Sequence, residues 1–520
     1  MKHTTLVYTV SRYFCAAIVL VALILGSCNG NAGDSQSSDS RDSREAARQK
    51  KAALQVEAAT ERRYRERSLR IARSLAPEAL AAQVLMSGVE GKEEPSPDMK
   101  ELLSEIPLGA LMLFKYNIAD SPRSVHAFIA QCTAATALAV PAGEAAPQGS
   151  QSRIEESGNP SASPASSLSF NPVPIESPMS GPTALPGRIY PFVAIDHEGG
   201  DVSRLGQVAT RLPPPERYLQ VLMDEASGPS ADSGGIPESA WLAIRQAAYL
   251  SGRELRTLGI TMNLAPVAEV LSPENRSFLQ NRGFAADPAA AASAAAAFIQ
   301  GMGEAGVTSV VKHFPASAAA DPHYGLSVLD TDRKGLEYLA APFEALLGQR
   351  GPQMDRDRLY PPSLYSLPVR PGAVMVAHTI VPAIEPDLAA SLSSRFMQDW
   401  IKNRLGFQGI VLADDFTMKA IASRGITPEA ALVQAILAGA DMVMVWPRDL
   451  RRFHRLLVER AKSDTLFQTR LIDAASRIIY QKLLWGLVES SPAQAAEFNE
   501  EGYGCMRKAT EQFLRERNLR

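Results

Sequence analysis

Apolar runs of about five residues recur along the chain, at 108–114, 191–195, 260–264, 307–311, 373–377, 409–413 and 441–445, with longer amphipathic stretches between them. Short apolar runs alternating with helical patterns argue for βαβ units and a parallel sheet. Helix signals agree: Asp287-Pro288 sets an N-cap carboxylate before a proline at the first helical position and opens an Ala-rich run to Gln300. Seven strands are legible in this pattern. The eighth, which closes a (β/α)8 barrel, is not, so the expected fold is α/β, a TIM-type barrel of regular or irregular form.

Several apolar runs finish in polar groups. Asp196-His197-Glu198 follows the second run, Asn263 lies within the end of the third, Lys312-His313 follows the fourth, His378 the fifth and Asp414-Asp415 the sixth. In a parallel barrel the C-terminal strand ends all open on one face, so these groups converge there. Each alone has a plainer reading, since a strand-end Asp often caps the next helix and a lone His often only packs. Five independent strand ends favour a common site.

The termini and inserts read differently. Lys2, His3 and Arg12 precede an apolar run at 14–25, the length of a signal-peptide core and too short to span a bilayer comfortably. It ends in Leu25-Gly26-Ser27-Cys28 and a Ser/Asp/Gly-rich stretch follows. Two readings fit: a bacterial lipobox with Cys28 lipidated, or an ordinary signal peptide with an incidental cysteine. The small residues before Cys28 and the polar tether after it favour the first, with the protein anchored in the cell envelope, facing the periplasm or the cell surface. Residues 45–73 carry nine Lys/Arg and four Glu, which suits a charged helix with a solvated face more than one held on an anionic membrane. Nine Pro, five Gly and ten Ser among the 47 residues of 141–187 cannot bury enough apolar area to order themselves, so that stretch reads as a disordered insertion. Smaller polar inserts lie at 226–237 and 349–365. The expected division is a signal peptide at 1–27, tether and charged helix at 28–70, one catalytic barrel at 71–490, and a helical tail at 491–520.

With 520 residues, 46% hydrophobic and 21% charged, the chain can bury a large core. A formal charge of -3 leaves no net basic field of the kind that draws nucleic acid. The four cysteines include no CxxC pair, so no structural metal is expected; Cys15 would leave with the signal, and Cys132 and Cys505 are expected as free thiols.

The motifs Ala194-Ile195-Asp196-His197-Glu198-Gly199-Gly200, Asn263-Leu264-Ala265-Pro266-Val267, Arg282-Gly283-Phe284-Ala285-Ala286-Asp287-Pro288, Lys312-His313-Phe314-Pro315, Val374-Met375-Val376-Ala377-His378 and Ala413-Asp414-Asp415-Phe416-Thr417-Met418 occur in that order. In them the chain resembles glycoside hydrolase family 3, most closely its single-domain β-N-acetylglucosaminidase branch, over about residues 75–487. The resemblance implies a retaining β-N-acetylhexosaminidase acting on glycans that contain N-acetylglucosamine, as a monomer and without cofactor or metal. It implies that Asp414 is the nucleophile, leaving Asp415 to cap the following helix, and that His323, held by Asp321, is the acid/base. It assigns sugar binding to Asp196, Arg204, Arg282, Lys312 and His313, gives Glu198 an orienting role, and lets Gly199 and Gly200 bring their loop close to the sugar.

The chain departs from the family where Ala316-Ser317-Ala318-Ala319-Ala320 replaces a Gly-His-Gly loop, and where Asp201 stands in place of an Arg beside the sugar pocket. A non-catalytic sugar-binding lipoprotein with a degenerate loop is the competing reading. Retention of Asp414, Asp321 and His323 together speaks against it. A metal-dependent barrel hydrolase is disfavoured, because no His-x-His motif ends a strand.

Overall fold

The computed structural model describes residues 58–139, 187–225, 236–321, 324–325, 327–348, 370–414, 416, 425–489 and 497–520. The signal peptide, Cys28, the tether, insertion 141–187 up to residue 186, His323 and Asp415 lie outside them.

Eight parallel strands close into a barrel in chain order: β1 Leu85–Gly88, β2 Ala110–Leu113, β3 Phe192–Ile195, β4 Met262–Asn263, β5 Thr308–Phe314, β6 Ala373–Val376, β7 Ile410–Ala413 and β8 Met442–Val445. The ring closes where β1 pairs with both β8 and β2. Every residue of β1, β2, β3, β6 and β7 is buried, as expected of strands covered by helices outside and packed side chains within. The seven apolar runs of the sequence are β2 to β8. The missing strand is the first: Leu-Met-Ser-Gly has no β-branched or aromatic residue and follows the apolar helix Pro77–Gln83 with no turn signal between.

The outer ring is α1 Pro97–Glu105, α2 Pro122–Ala135, α3 Glu238–Leu258, α4 Pro288–Glu304, α5 Arg333–Leu347, α6 Arg395–Arg404 (wound as a π-helix), α7 Pro428–Ala438 and α8 Pro447–Ser463, with α9 Thr465–Leu484 and α10 Glu500–Glu516 behind them. Asp287 caps α4 by accepting from the Ala290 N–H (2.8 Å), with Pro288 at the first helical position. The helix runs four residues beyond Gln300. Its small residues serve packing: a Cβ at Gly301 would fall 2.1 Å from the Arg245 carbonyl oxygen, so α3 and α4 touch backbone to backbone.

Residues 58–74 form one helix that runs through the expected boundary at residue 70. Arg62, Arg63, Arg67, Arg70 and Arg73 are exposed, while Ser68 and Ala72 are buried and Arg65 donates to Gln408 (2.7 Å). The described part of the charged helix therefore docks on the barrel as well as facing water. Cys132 is buried in α2, Cys505 is exposed on α10, and both are free.

Below the strands' N-terminal ends, Asp441 accepts from Lys402 (2.6 Å), Arg470 (2.7 Å) and the Val411 N–H (3.0 Å). Burial alone would raise its pKa, but the two cations outweigh that and hold it below the ordinary Asp value. At this end of a barrel such a network belongs to stability.

Candidate active site

The opposite end collects the predicted polar residues. Asp196 follows β3 directly, and Lys312 projects from β5. Lys312 Nζ lies 2.6 Å from both Asp196 Oδ1 and Glu198 Oε1. Arg282, from the loop between β4 and α4, closes a two-pronged pair on Glu198 at 2.8 and 2.9 Å. The Glu198 and Lys312 side chains are 1% and 4% exposed, whereas Arg282 and Asp196 keep 21% and 20%. Glu198 is thus the buried anchor, while the other two still reach the solvent from which a ligand arrives.

Charge settles the protonation of Glu198. Burial pushes its pKa up, but Lys312 and Arg282 at contact distance overcome this and bring it down to about 2. It is ionised at neutral pH and holds no proton to donate. Lys312 and Arg282 are raised in turn, because their carboxylate partners outweigh desolvation.

The structure adds Glu269, which the sequence reading passed over. It is wholly buried beyond β4 and accepts from the His313 N–H (3.2 Å), the Ser317 N–H (2.5 Å) and the Ser317 hydroxyl (2.8 Å), with His313 Nδ1 at 2.7 Å. These bonds hold its pKa below the ordinary value against the upward push of burial. One carboxylate therefore fixes both His313 and the start of the loop that leads to Asp321. Ser317 supplies two of the bonds in the segment that lacks the family's glycines.

Asn263 has a structural task. Its side-chain amide pairs with both backbone polar groups of His197, at 3.0 Å each, and so sets the course of the Asp196–Glu198 segment. His197 is fully buried, which lowers its pKa to about 4 and leaves it neutral. The Arg204 N–H donates to the Asp196 carbonyl (3.3 Å), which starts that side chain beside the cluster.

Asp414 is the first residue after β7, half-buried, and the pairing of Val376 with Ala413 puts it level with Ala377 on β6. His378, next along, is buried, with Nδ1 2.6 Å from the Ser391 hydroxyl and its ring 5.3 Å from that of Phe416. Asp321 is half-buried on the loop after β5; His323 lies outside the described residues.

The loop after Glu198 has a structural setting of its own. Gly199 and Gly200 have φ of +105° and +55°, and a Cβ at Gly199 would lie 2.3 Å from the Pro213 carbonyl oxygen, so the turn and the neighbouring backbone require glycine there. Asp201 is on the exposed side of that hairpin and its charge is paired with Arg211 at 2.7 Å.

A closed parallel barrel with charged side chains gathered at the C-terminal strand ends has the architecture on which barrel enzymes build their sites. The model of the glycosyl hydrolase family 3 N terminal domain matches residues 183–355 and 367–480, over half of the chain, and the protein belongs to that family. Among curated proteins it is 32% identical over 264 residues to a beta-hexosaminidase of Nitrosomonas eutropha, covering 49% of this chain and 64% of the relative. It is 33% identical over 260 residues to one of Methylococcus capsulatus, covering 49% and 66%. The matched region thus spans under two thirds of those relatives. Two solved structures share the fold. A glycoside hydrolase family 3 beta-N-acetylglucosaminidase from Paenibacillus sp. superposes with a TM-score of 0.58 at 22% identity, over 85% of this chain and 69% of that one. A beta-N-acetylhexosaminidase from Beutenbergia cavernae gives 0.54 at 22%, over 79% and 99%.

Proposed function

We propose that the protein is a retaining β-N-acetylhexosaminidase that releases terminal N-acetylglucosamine from peptidoglycan fragments or other glycans. The observation that carries this reading is the Asp196–Lys312–Glu198–Arg282 network on the same rim as Asp414. A fixed set of charged donors and acceptors suits the directional hydroxyls of a pyranose, and a carboxylate beside it suits attack on the anomeric carbon. In the first step an Asp414 oxygen bonds to that carbon, the glycosidic C–O bond breaks, and the leaving oxygen takes a proton from His323. In the second, His323 takes a proton from water as the water oxygen displaces Asp414, giving net retention. Asp321 orients the imidazole and favours its charged form. Asp196, Arg204, Arg282, Lys312 and His313 hold the ring, and contacts that tighten toward the oxocarbenium-like state accelerate the step.

Turnover of nitrophenyl N-acetyl-β-glucosaminide tests this, with Asp414→Ala abolishing it in a protein that stays folded. Trapping with a 2-fluoro sugar should label Asp414. Label on Glu198, or full turnover by Asp414→Ala, would overturn the assignment. The same reading places the protein on a bacterial envelope through a lipid on Cys28, supported by the apolar run and the tether around it. Labelled fatty acid should enter the wild type and not Cys28→Ala.

A further inference from the structure

The charged network faces only part of what a sugar presents. A pyranose carries hydroxyls around its edge and C–H patches on its faces, and sites that hold such ligands combine a few placed polar groups with apolar or aromatic surface. Among the described residues, the arc from β8 through β1 to β2 supplies that second surface. Phe114 follows β2 directly, Tyr116 lies two residues on, and Trp446 follows β8 directly. The Phe114 ring is stacked with Trp446 at 5.0 Å and 18°, and with Tyr116 at 5.6 Å and 14°.

The stack spans the end of β1, which finishes in Gly88. A Cβ there would lie 3.1 Å from the Phe114 ring and 3.5 Å from the Tyr116 hydroxyl, so the missing side chain makes room for the rings. Core aromatics in this protein are hidden; these are held at the water's edge. Tyr116 is 52% exposed, and Phe114 and Trp446 are half-buried.

Two facts place the stack relative to the proposed reaction centre. The pairing of Leu113 with Ile195 makes Phe114 the neighbour of Asp196 on one flank, and β8 lies beside β7, which carries Asp414, on the other. Lys312 and Glu198 are nearly covered, Asp196 is 20% exposed and Tyr116 is half open, so the Tyr116 end of the stack is the more open to solvent.

We propose that Tyr116, Phe114 and Trp446 form a platform for the second ring of the substrate, the sugar on the leaving-group side of the scissile bond. This rests on the glycosidase reading above. Stacking spends the faces that the rings turn to one another and fixes all three in place, so the apolar surface offered to the C–H side of a pyranose is the part of Tyr116 and Trp446 that solvent reaches. Burial and the nearby Glu90 carboxylate raise the Tyr116 phenol, so it stays protonated and able to donate to a sugar hydroxyl.

The test compares two substrates with the same first ring. One is a β-linked disaccharide of N-acetylglucosamine; the other is the β-azide of that sugar, whose leaving group has no ring. In Trp446→Ala the ratio of kcat/KM on disaccharide to kcat/KM on azide should fall about tenfold, chiefly through KM on the disaccharide, and in Tyr116→Ala about threefold. Tyr116→Ala matters because an exposed ring can be removed without endangering the fold, and melting temperatures check both variants. A ratio unchanged within about twofold in both variants, with the wild type active on the azide, overturns the platform and leaves the glycosidase reading standing. A wild type inactive on both substrates overturns that reading and the platform with it.

Discussion

Glu269 shows how much can hang on a side chain that need not touch the substrate. Its carboxylate joins His313, assigned to the sugar, to Ser317, which opens the loop toward Asp321 and His323. Glu269→Ala would leave Ser317 and His313 without their acceptor inside the protein, and an unsatisfied buried donor costs about 1–3 kcal/mol. Turnover should drop by about ten- to a hundredfold, with the melting temperature lowered as well. Ser317→Ala keeps the carboxylate and its bonds to His313 and to the Ser317 N–H, so a loss of only severalfold is expected. Equal rates for wild type and Glu269→Ala would show that the loop is held by other means. The acid/base is tested one step farther along. His323→Ala should cut turnover of substrates with poor leaving groups by about two to four orders of magnitude, and that of activated ones much less, because they need little protonation. Glu198 cannot cover the loss, since its pKa near 2 leaves it without a proton at working pH. The strand-end residues could be read from sequence because each stands directly after an apolar run. Glu269 could not, as it lies 48 residues from Ser317 and only the closed barrel brings them together.

At the scale of elements, the two segments outside the regular βα repeat have opposite expected worth. Insertion 141–187 is bounded by Leu138–Ala139 and Arg188–Ile189, which pair antiparallel, Leu138 with Ile189 and Ala139 with Arg188. The ends of the insertion are thus fixed side by side, and a short Gly-containing turn can replace it at little cost in loop-closure entropy. Such a deletion should keep turnover and melting temperature close to the wild type, and a collapse of either would show that the insertion contributes to the fold. The C-terminal helix α10 is the reverse case. It buries Tyr503 and Leu514 against the barrel, Tyr503 donates to the Val208 carbonyl (2.8 Å), and Thr510 donates to Glu254 on α3 (2.5 Å). Removing residues 499–520 would uncover those apolar contacts and strip a buried carboxyl of one donor. The melting temperature should fall by well over 5 °C, since each large apolar side chain contributes about 1.5–3 kcal/mol. Sequence pattern found seven strands because their apolar runs are set off by turn residues. It missed β1 because Ser87 and Gly88 dilute a four-residue strand joined to an apolar helix.

Across the whole molecule, buried charge sits at both ends of the barrel: Glu198 and Glu269 at the C-terminal rim, Asp441 beneath the N-terminal strand ends. Composition and net charge gave no sign of this, because a formal charge of -3 is compatible with any internal arrangement, and the partners are distant in sequence. The arrangement sets the response to acid. Glu198, Glu269 and Asp441 all have folded pKa values below their ordinary 4.5, 4.5 and 3.8. The native protein therefore binds fewer protons than the unfolded chain in this range. The stability that these groups contribute is fully present above about pH 5 and is lost as pH falls through the folded values, with Glu198 the last to titrate near 2. Glu254, raised by burial, works in the opposite direction and offsets part of the loss. Urea titrations at steps from pH 7 to 3 should show the unfolding free energy falling from about pH 6.5, where the unfolded chain protonates His197 and the folded protein does not, and falling further below about pH 5 as the carboxylates titrate. Glu198→Gln should be less stable at pH 7, because Lys312 and Arg282 lose their shared counter-ion, and should also decline less steeply below pH 5. A wild-type curve that stays level to pH 3, or a Glu198→Gln curve parallel to it, would mean that these carboxylates are not the charges that hold the barrel together.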